Sequence, residues 1–223
     1  MNKFIIIVFL LIASFKLVNA AELTVKLRDG TFVVRQLDVN TQKINFTIGE
    51  SRDMSINDPR NIVEIAGLEN FPKLRELWFW AVPFISDFNF LRRLDTLEVL
   101  VFQDIRFNNI DFIYDLVSLR KLIFQGCRVN KTIDASRLPN LEYFEFTNSQ
   151  LTEFPLRVVE RRNISTINIA FNNIRDISSI ENMEILIIAH RNPIRITGNQ
   201  NIITYDGSSF FYAVPKRYRR FVR

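Results

Sequence analysis

The chain reads as an α/β solenoid, a stack of short parallel rungs with a sheet along one concave side. Three observations predict it. Apolar triplets recur at spacings of 23, 22, 22 and 23: Leu74-x-x-Leu77-x-Phe79, Leu97-x-x-Leu100-x-Phe102, Leu119-x-x-Leu122-x-Phe124, Leu141-x-x-Phe144-x-Phe146 and Ile164-x-x-Ile167-x-Ile169. An every-third-residue apolar beat links them, as in Phe107-x-x-Ile110-x-x-Ile113-x-x-Leu116 and Ile174-x-x-Ile177-x-x-Ile180. A unit of this length cannot bury its apolar face alone, so units must stack and share a core.

In chain order, the first element is a targeting segment. Met1-Asn2-Lys3 is a short basic start, Phe4 to Ala13 is an unbroken apolar run, and Val18-Asn19-Ala20 offers small or aliphatic residues before a cleavage site at Ala21. That layout is a secretory signal peptide over residues 1–20. Lys16 ends the apolar stretch too early for a membrane span. The expected address is secreted or periplasmic, with no lipid-bearing cysteine near residue 20, no later span in the mature chain and no nucleic-acid partner. Lys3 and Lys16 fall in this segment and five cations close the chain, so the body between them holds slightly more acid than base despite the overall charge of +5. The high pI describes a tail.

Residues 21–61 read as a small all-β module capping the stack. Leu23–Leu27 and Phe32–Val34 flank Arg28-Asp29-Gly30-Thr31, a hairpin turn. Lys43–Ile48 and Asp53–Asn57 follow with strand-like alternation before Pro59. Residues 62–196 carry about six repeats, opened by Ile62-x-x-Ile65-x-x-Leu68-x-x-Phe71 and closed by a short sixth unit read as Met183-x-x-Leu186-x-Ile188. Residues 197–215 close the stack with a hairpin about Asp206-Gly207, and residues 216–223 form a basic tail.

These units resemble the leucine-rich repeat family, whose unit is L-x-x-L-x-L-x-x-N/C-x-L, in the 22-residue form of internalin-like bacterial proteins. Cys127 and Asn172 fall on the N/C position, with Val129 and Ile174 on the last apolar one. The resemblance implies a parallel concave sheet, irregular or short helical return segments, and binding rather than catalysis. It names no ligand. Val82, Ile105 and Ser149 replace the N/C residue in three units, where looser turns are expected.

Composition narrows the chemistry. At 48% hydrophobic and 24% charged the chain is neither disordered nor fibrous, and one His with one Cys excludes a His/Cys zinc cage and a multi-disulfide framework. Cys127 sits where a thiol fills space, and His190 lies beside Arg191 with no nucleophile motif around it. The expected protein is not an enzyme and needs no cofactor or metal.

Strand alternation sends alternate residues to the concave face. Trp78 and Trp80 fall there, with Val101 and Ile123 next along the sheet, and an apolar stripe with a charged rim suits a protein ligand. The expected partner-binding residues are Trp78, Trp80, Val99, Val101, Asp104, Lys121, Ile123, Tyr143 and Glu145. The competing arrangement has the N-terminal module folded over the first two strands. Arg75, Glu98, Arg120 and Glu142 share one repeat position with alternating sign, which reads as a register device. In the sixth unit Ile185, Ile187, Ala189 and His190 are expected to face water. The alternative function is attachment to an anionic envelope surface through Lys216, Arg217, Arg219, Arg220 and Arg223; a hydrolase ranks last.

Overall fold

The computed structural model describes residues 19–47, 59–158, 163–180, 183, 185–194 and 202–203. The targeting segment up to residue 18, the strand expected over 53–57, the turn at Asp206-Gly207 and the basic tail lie outside the described residues. Among the described residues no helix is long and apolar enough to cross a membrane.

The chain opens with β1 (Ala20–Leu27) and β2 (Phe32–Asp38), antiparallel in one unbroken register around the expected turn. Gly30 carries the left-handed φ of 88° that a side chain would resist. β3 (Lys43–Phe46) and β4 (Ile62–Ala66) then exchange the places expected of them. β4, read as the start of the repeats, pairs antiparallel with β1 and completes a three-stranded sheet in the order β2-β1-β4. β3, read as part of that module, lies parallel beside the first repeat strand, with Ile44 against Leu77 and Phe46 against Phe79.

The main sheet continues through β5 (Glu76–Trp80), β6 (Val99–Gln103) and β7 (Lys121–Gln125). On the return side, β8 (Ile133–Asp134) pairs with β10 (Leu156–Arg157) as a two-residue parallel ladder. β9 (Tyr143–Thr147), β11 (Thr166–Asn168), β12 (Leu186–Ile188) and β13 (Ile202–Ile203) complete eight parallel strands in the order β13-β12-β11-β9-β7-β6-β5-β3. β13, expected as one arm of a closing hairpin, is thus one more parallel rung. Short 3-10 turns at Asn89–Arg93, Asp111–Asp115 and Ala135–Arg137 form the return segments.

The register confirms five triplets and corrects the sixth. Leu77, Leu100, Leu122, Phe144 and Ile167 stand in one row. Ile167 then faces Ile187, not Leu186, so the sixth unit begins at Glu184 rather than Met183. A one-residue slip sends every side chain to the opposite face. Ile185, Ile187 and Ala189 therefore lie in the core, and Leu186 with Ile188 take the concave side. Two further features fix this register. The residue after each strand segment turns through the left-handed region at Ala81, Asp104, Gly126, Asn148, Phe171 and then Arg191. The next position holds Asn172 in the fifth unit and Asn192 in the sixth, one step beyond where the Met183 reading put it.

Those two asparagines show why the unit favours that residue. Asn172 Nδ2 donates to the carbonyls of Phe146, Ile169 and Ala170 at 2.7, 2.9 and 3.3 Å, while its Oδ1 accepts from the Ser149 and Leu151 amides. Asn192 repeats this with Nδ2 on Ile169 O at 2.7 Å and Oδ1 accepting from Ile174 N. Where the asparagine is missing, before Val82, Ile105 and Ser149, the turns keep the same left-handed form. Val82 and Ile105 are buried, and the turns keep their left-handed residue and an amide bond to the next rung, Ala81 N to Gln103 O and Asp104 N to Gln125 O. The Asn172 unit makes the same rung-to-rung bond, Phe171 N to His190 O, so this bond holds the turn with or without the side-chain amide.

Inside, Phe46, Phe79, Phe102, Phe124 and Phe146 form one stacked column with ring centroids 5.1, 5.4, 5.7 and 5.0 Å apart. Phe88 and Phe107 meet Phe102 edge-on at 5.1 and 4.9 Å. Each such pair adds about 0.5–1.5 kcal/mol beyond the area it buries.

Candidate functional site

Because the strands are parallel and in register, concave residues form three columns along the solenoid axis. The first holds Lys43, Glu76, Val99, Lys121, Tyr143, Thr166 and Leu186; the second holds Asn45, Trp78, Val101, Ile123, Glu145, Asn168 and Ile188. Trp80, Gln103, Gln125 and Thr147 begin the third.

Trp78 and Trp80 are both half-buried on this face, so neither indole points into the core. Among the described residues the N-terminal strands do not fold over them. β3 lies alongside instead, and Lys43 Nζ stands 4.6 Å from the centre of the Trp78 ring while pairing with Glu76 at 2.9 Å. Both indole N–H groups are engaged within the face: Trp78 donates to Glu76, and Trp80 donates to Asp104 Oδ2 at 3.1 Å. The Asp104 carboxylate occupies the space that a Cβ on Gly126 would need. That contact explains glycine at the third left-handed turn. A methyl there would displace the carboxylate that holds Trp80.

Two of the expected binding residues are not available to a partner. Val101 is only 2% exposed, pressed between Trp78 and Ile123 in its column, so it forms the floor of the patch. Glu145 is 8% exposed. Val99, Ile123 and Tyr143 are half-buried, and Lys121 and Asp104 are exposed. Curvature toward the concave side crowds side chains there, which strand alternation alone does not reveal.

Glu145 is the centre of a polar knot that pattern reading missed. Its Oε1 accepts from Gln125 Nε2 at 2.9 Å and Thr147 Oγ1 at 3.0 Å; its Oε2 accepts from Tyr143 OH at 2.6 Å and Asn168 Nδ2 at 3.2 Å. Four neutral donors thus replace the water that burial removes. Burial raises the Tyr143 phenol well above its usual range, and the adjacent carboxylate raises it further. The signal was present in the sequence as Tyr143-x-Glu145-x-Thr147, three polar residues on one strand face. Glu145→Gln should destabilise the fold by about 2 kcal/mol, because its new NH₂ meets donors on whichever side it points. Urea unfolding checks this; an unchanged midpoint would show the knot to be loosely held.

The charged positions form two separate pairs: Arg75 to Glu98 at 2.9 Å, and Arg120 bidentate to Glu142 at 2.9 Å for both bonds. All four are partly or well exposed, and such pairs contribute about 0.2–1 kcal/mol each.

Cys127 is fully buried on the N/C position, its Sγ 3.4 Å from the Phe102 and Gln125 carbonyl oxygens, and burial pushes its thiol up to about 12. His190 is 6% exposed rather than facing water, and burial lowers its pKa. It stands one step before the left-handed Arg191, at the position of Gln103 and Gln125, and its carbonyl accepts from Phe171 N at 2.7 Å.

No protein-family model matches the chain, and no curated protein matches it. Among solved structures the chain is similar to an internalin (inlF) from Listeria monocytogenes, at 15% identity over 77% of this chain and 58% of that one, with a TM-score of 0.47. It is also similar to an internalin C2 (inlC2) from the same species, at 15% identity over 77% of this chain and 79% of that one, with a TM-score of 0.37. The chain therefore spans less than two thirds of the inlF structure's length. Overlaps of that size carry no argument; the parallel sheet, its register and its left-handed turns fit a leucine-rich repeat solenoid.

Proposed function

We propose that the chain is a non-catalytic binding module that presents the aromatic end of its concave wall to another protein. One observation carries this reading: two half-exposed indoles stand side by side on an open face, each already anchored by a carboxylate of that face. Their N–H groups are satisfied before any partner arrives, and Val101 supports them from below. A partner that covers such rings gains apolar burial without paying to order them, which is how a few aromatic residues come to dominate an interface. Val99, Ile123 and Tyr143 extend the apolar area, and Lys121 and Asp104 supply a charged rim. Display outside the cytoplasm rests on the sequence of residues 1–20.

Trp78→Ala combined with Trp80→Ala should weaken capture of the cognate protein by at least about 100-fold, since each buried Trp anchor is worth roughly 2 kcal/mol or more. Circular dichroism should be unchanged. Retained capture by the double variant would remove the patch from the interface, and collapse of the fold would make the indoles structural.

A further inference from the structure

The three-stranded sheet has two edges, and they differ. The β4 edge follows a bulge where its pairing with β1 slips between Lys26 and Leu27. The β2 edge is regular over all seven residues and contains neither Pro nor Lys, the residues that usually protect an exposed strand. Among the described residues nothing pairs with its outer side.

The hydrogen bonds of the hairpin say which backbone groups that side offers. Leu27 N donates to Thr31 O at 2.8 Å and Val39 N donates to Asn19 O at 2.7 Å, so odd-numbered residues of β2 turn their backbone groups toward β1. The even-numbered residues Phe32, Val34, Gln36 and Asp38 turn theirs outward. Their side chains share one face and all are exposed, Phe32 at 61% and Val34 at 46%. Backbone donors that find no partner among the described residues and exposed apolar side chains thus coincide on the same residues.

We infer that β2 pairs antiparallel with β2 of a second copy of this chain about a two-fold axis at Val34, joining two three-stranded sheets into one of six. An antiparallel bonded pair needs outward-turned residues on both strands, and a two-fold keeps both side chains on one face. Centring on Val34 meets both conditions: Val34 faces Val34, Phe32 faces Gln36, and Val33 faces Arg35. Centring on Arg35 would set two guanidinium groups directly opposite each other, which is destabilising. Centring on Gln36 would place Val34 against Asp38. Centring on Val33 or Leu37 would pair only three residues of each β2, whereas centring on Val34 pairs five. Of the registers with that overlap or more, Val34 brings apolar against apolar at the axis without opposing like charges.

The test is sedimentation equilibrium of the purified chain with Val34→Pro. Proline at 34 removes an N–H that faces outward and leaves the β1–β2 ladder intact, as edge strands allow. The wild-type mass should double with concentration, and Val34→Pro should weaken association roughly 30-fold through two lost bonds across the axis. Val34→Cys decides the matter if the proline variant fails to fold. Its two copies would stand about 5.5 Å apart at Cα, within disulfide range, and should cross-link under mild oxidation. Gln36→Cys should not, while buried Cys127 stays inert in both. A chain monomeric at millimolar concentration, self-association untouched by Val34→Pro, equal cross-linking through residue 36, or a monomer that only takes up foreign extended peptides would each overturn the inference.

Discussion

Phe102→Ala should lower the unfolding free energy by about 4–5 kcal/mol, at the upper end of core truncations. Phe102 has no exposed surface and meets five other rings: it stacks on Phe79 and Phe124 and touches Phe88, Phe107 and Phe112 at 5.1, 4.9 and 6.0 Å. Its neighbours cannot close the gap cheaply. Phe79 and Phe124 sit on strands held at fixed spacing by parallel ladders on both sides of β6, so the missing ring leaves a void rather than a repacked core. Set against the 5–15 kcal/mol typical of a whole domain, that is about a third or more of the total. Equilibrium urea unfolding measures it. A loss below about 2 kcal/mol would show that the column relaxes along its axis.

Asn172→Ala should cost about 3 kcal/mol, more than a typical single hydrogen bond. Asn172 is 4% exposed, and its amide serves five backbone groups drawn from two successive units. Alanine leaves buried amides and carbonyls without partners, and that desolvation cost exceeds the worth of the bonds themselves. Asn192→Ala should cost less, about 1–2 kcal/mol, because that side chain is only half-buried and water can replace it. Native-state hydrogen exchange offers a local readout: the Ser149 and Leu151 amides should exchange faster in Asn172→Ala and stay protected in Asn192→Ala. Equal losses at the two positions would show that burial does not set the difference.

Much of the solenoid was legible because its key positions are apolar at constant spacing. Where reading failed, a different physical constraint had the deciding role. The sixth unit misleads because its first position holds Glu184, while the apolar triplet Met183-x-x-Leu186-x-Ile188 starts one residue early. Asn192 is the better anchor, since an amide bonded to three carbonyls tolerates no slip. β3 escaped because Ile44 lies 33 residues before its register partner Leu77, with β4 and its pairing to β1 inserted between them. The left-handed turns leave no common chemical trace: Ala81, Asp104, Asn148, Phe171 and Arg191 share only backbone conformation.

The concave surface was legible in its columns but not in its depth. Alternation puts Trp78, Trp80 and Ile123 on the correct side, yet does not show that Trp78 and Ile123 hide Val101 or that four donors enclose Glu145. Those facts depend on side-chain volume and on bonding between residues 20 to 24 apart in sequence.

The aromatic column stops at Phe146, and the next two places in its row are taken by Ile169 and Ala189. Coupling between neighbours in a linear array scales with what each layer contributes, so the grip of one turn on the next weakens steadily toward the end of the coil. The molecule is built like a zipper with its coarsest teeth near the N-terminus. Opening should begin at the fine-toothed end and halt where the benzene rings start.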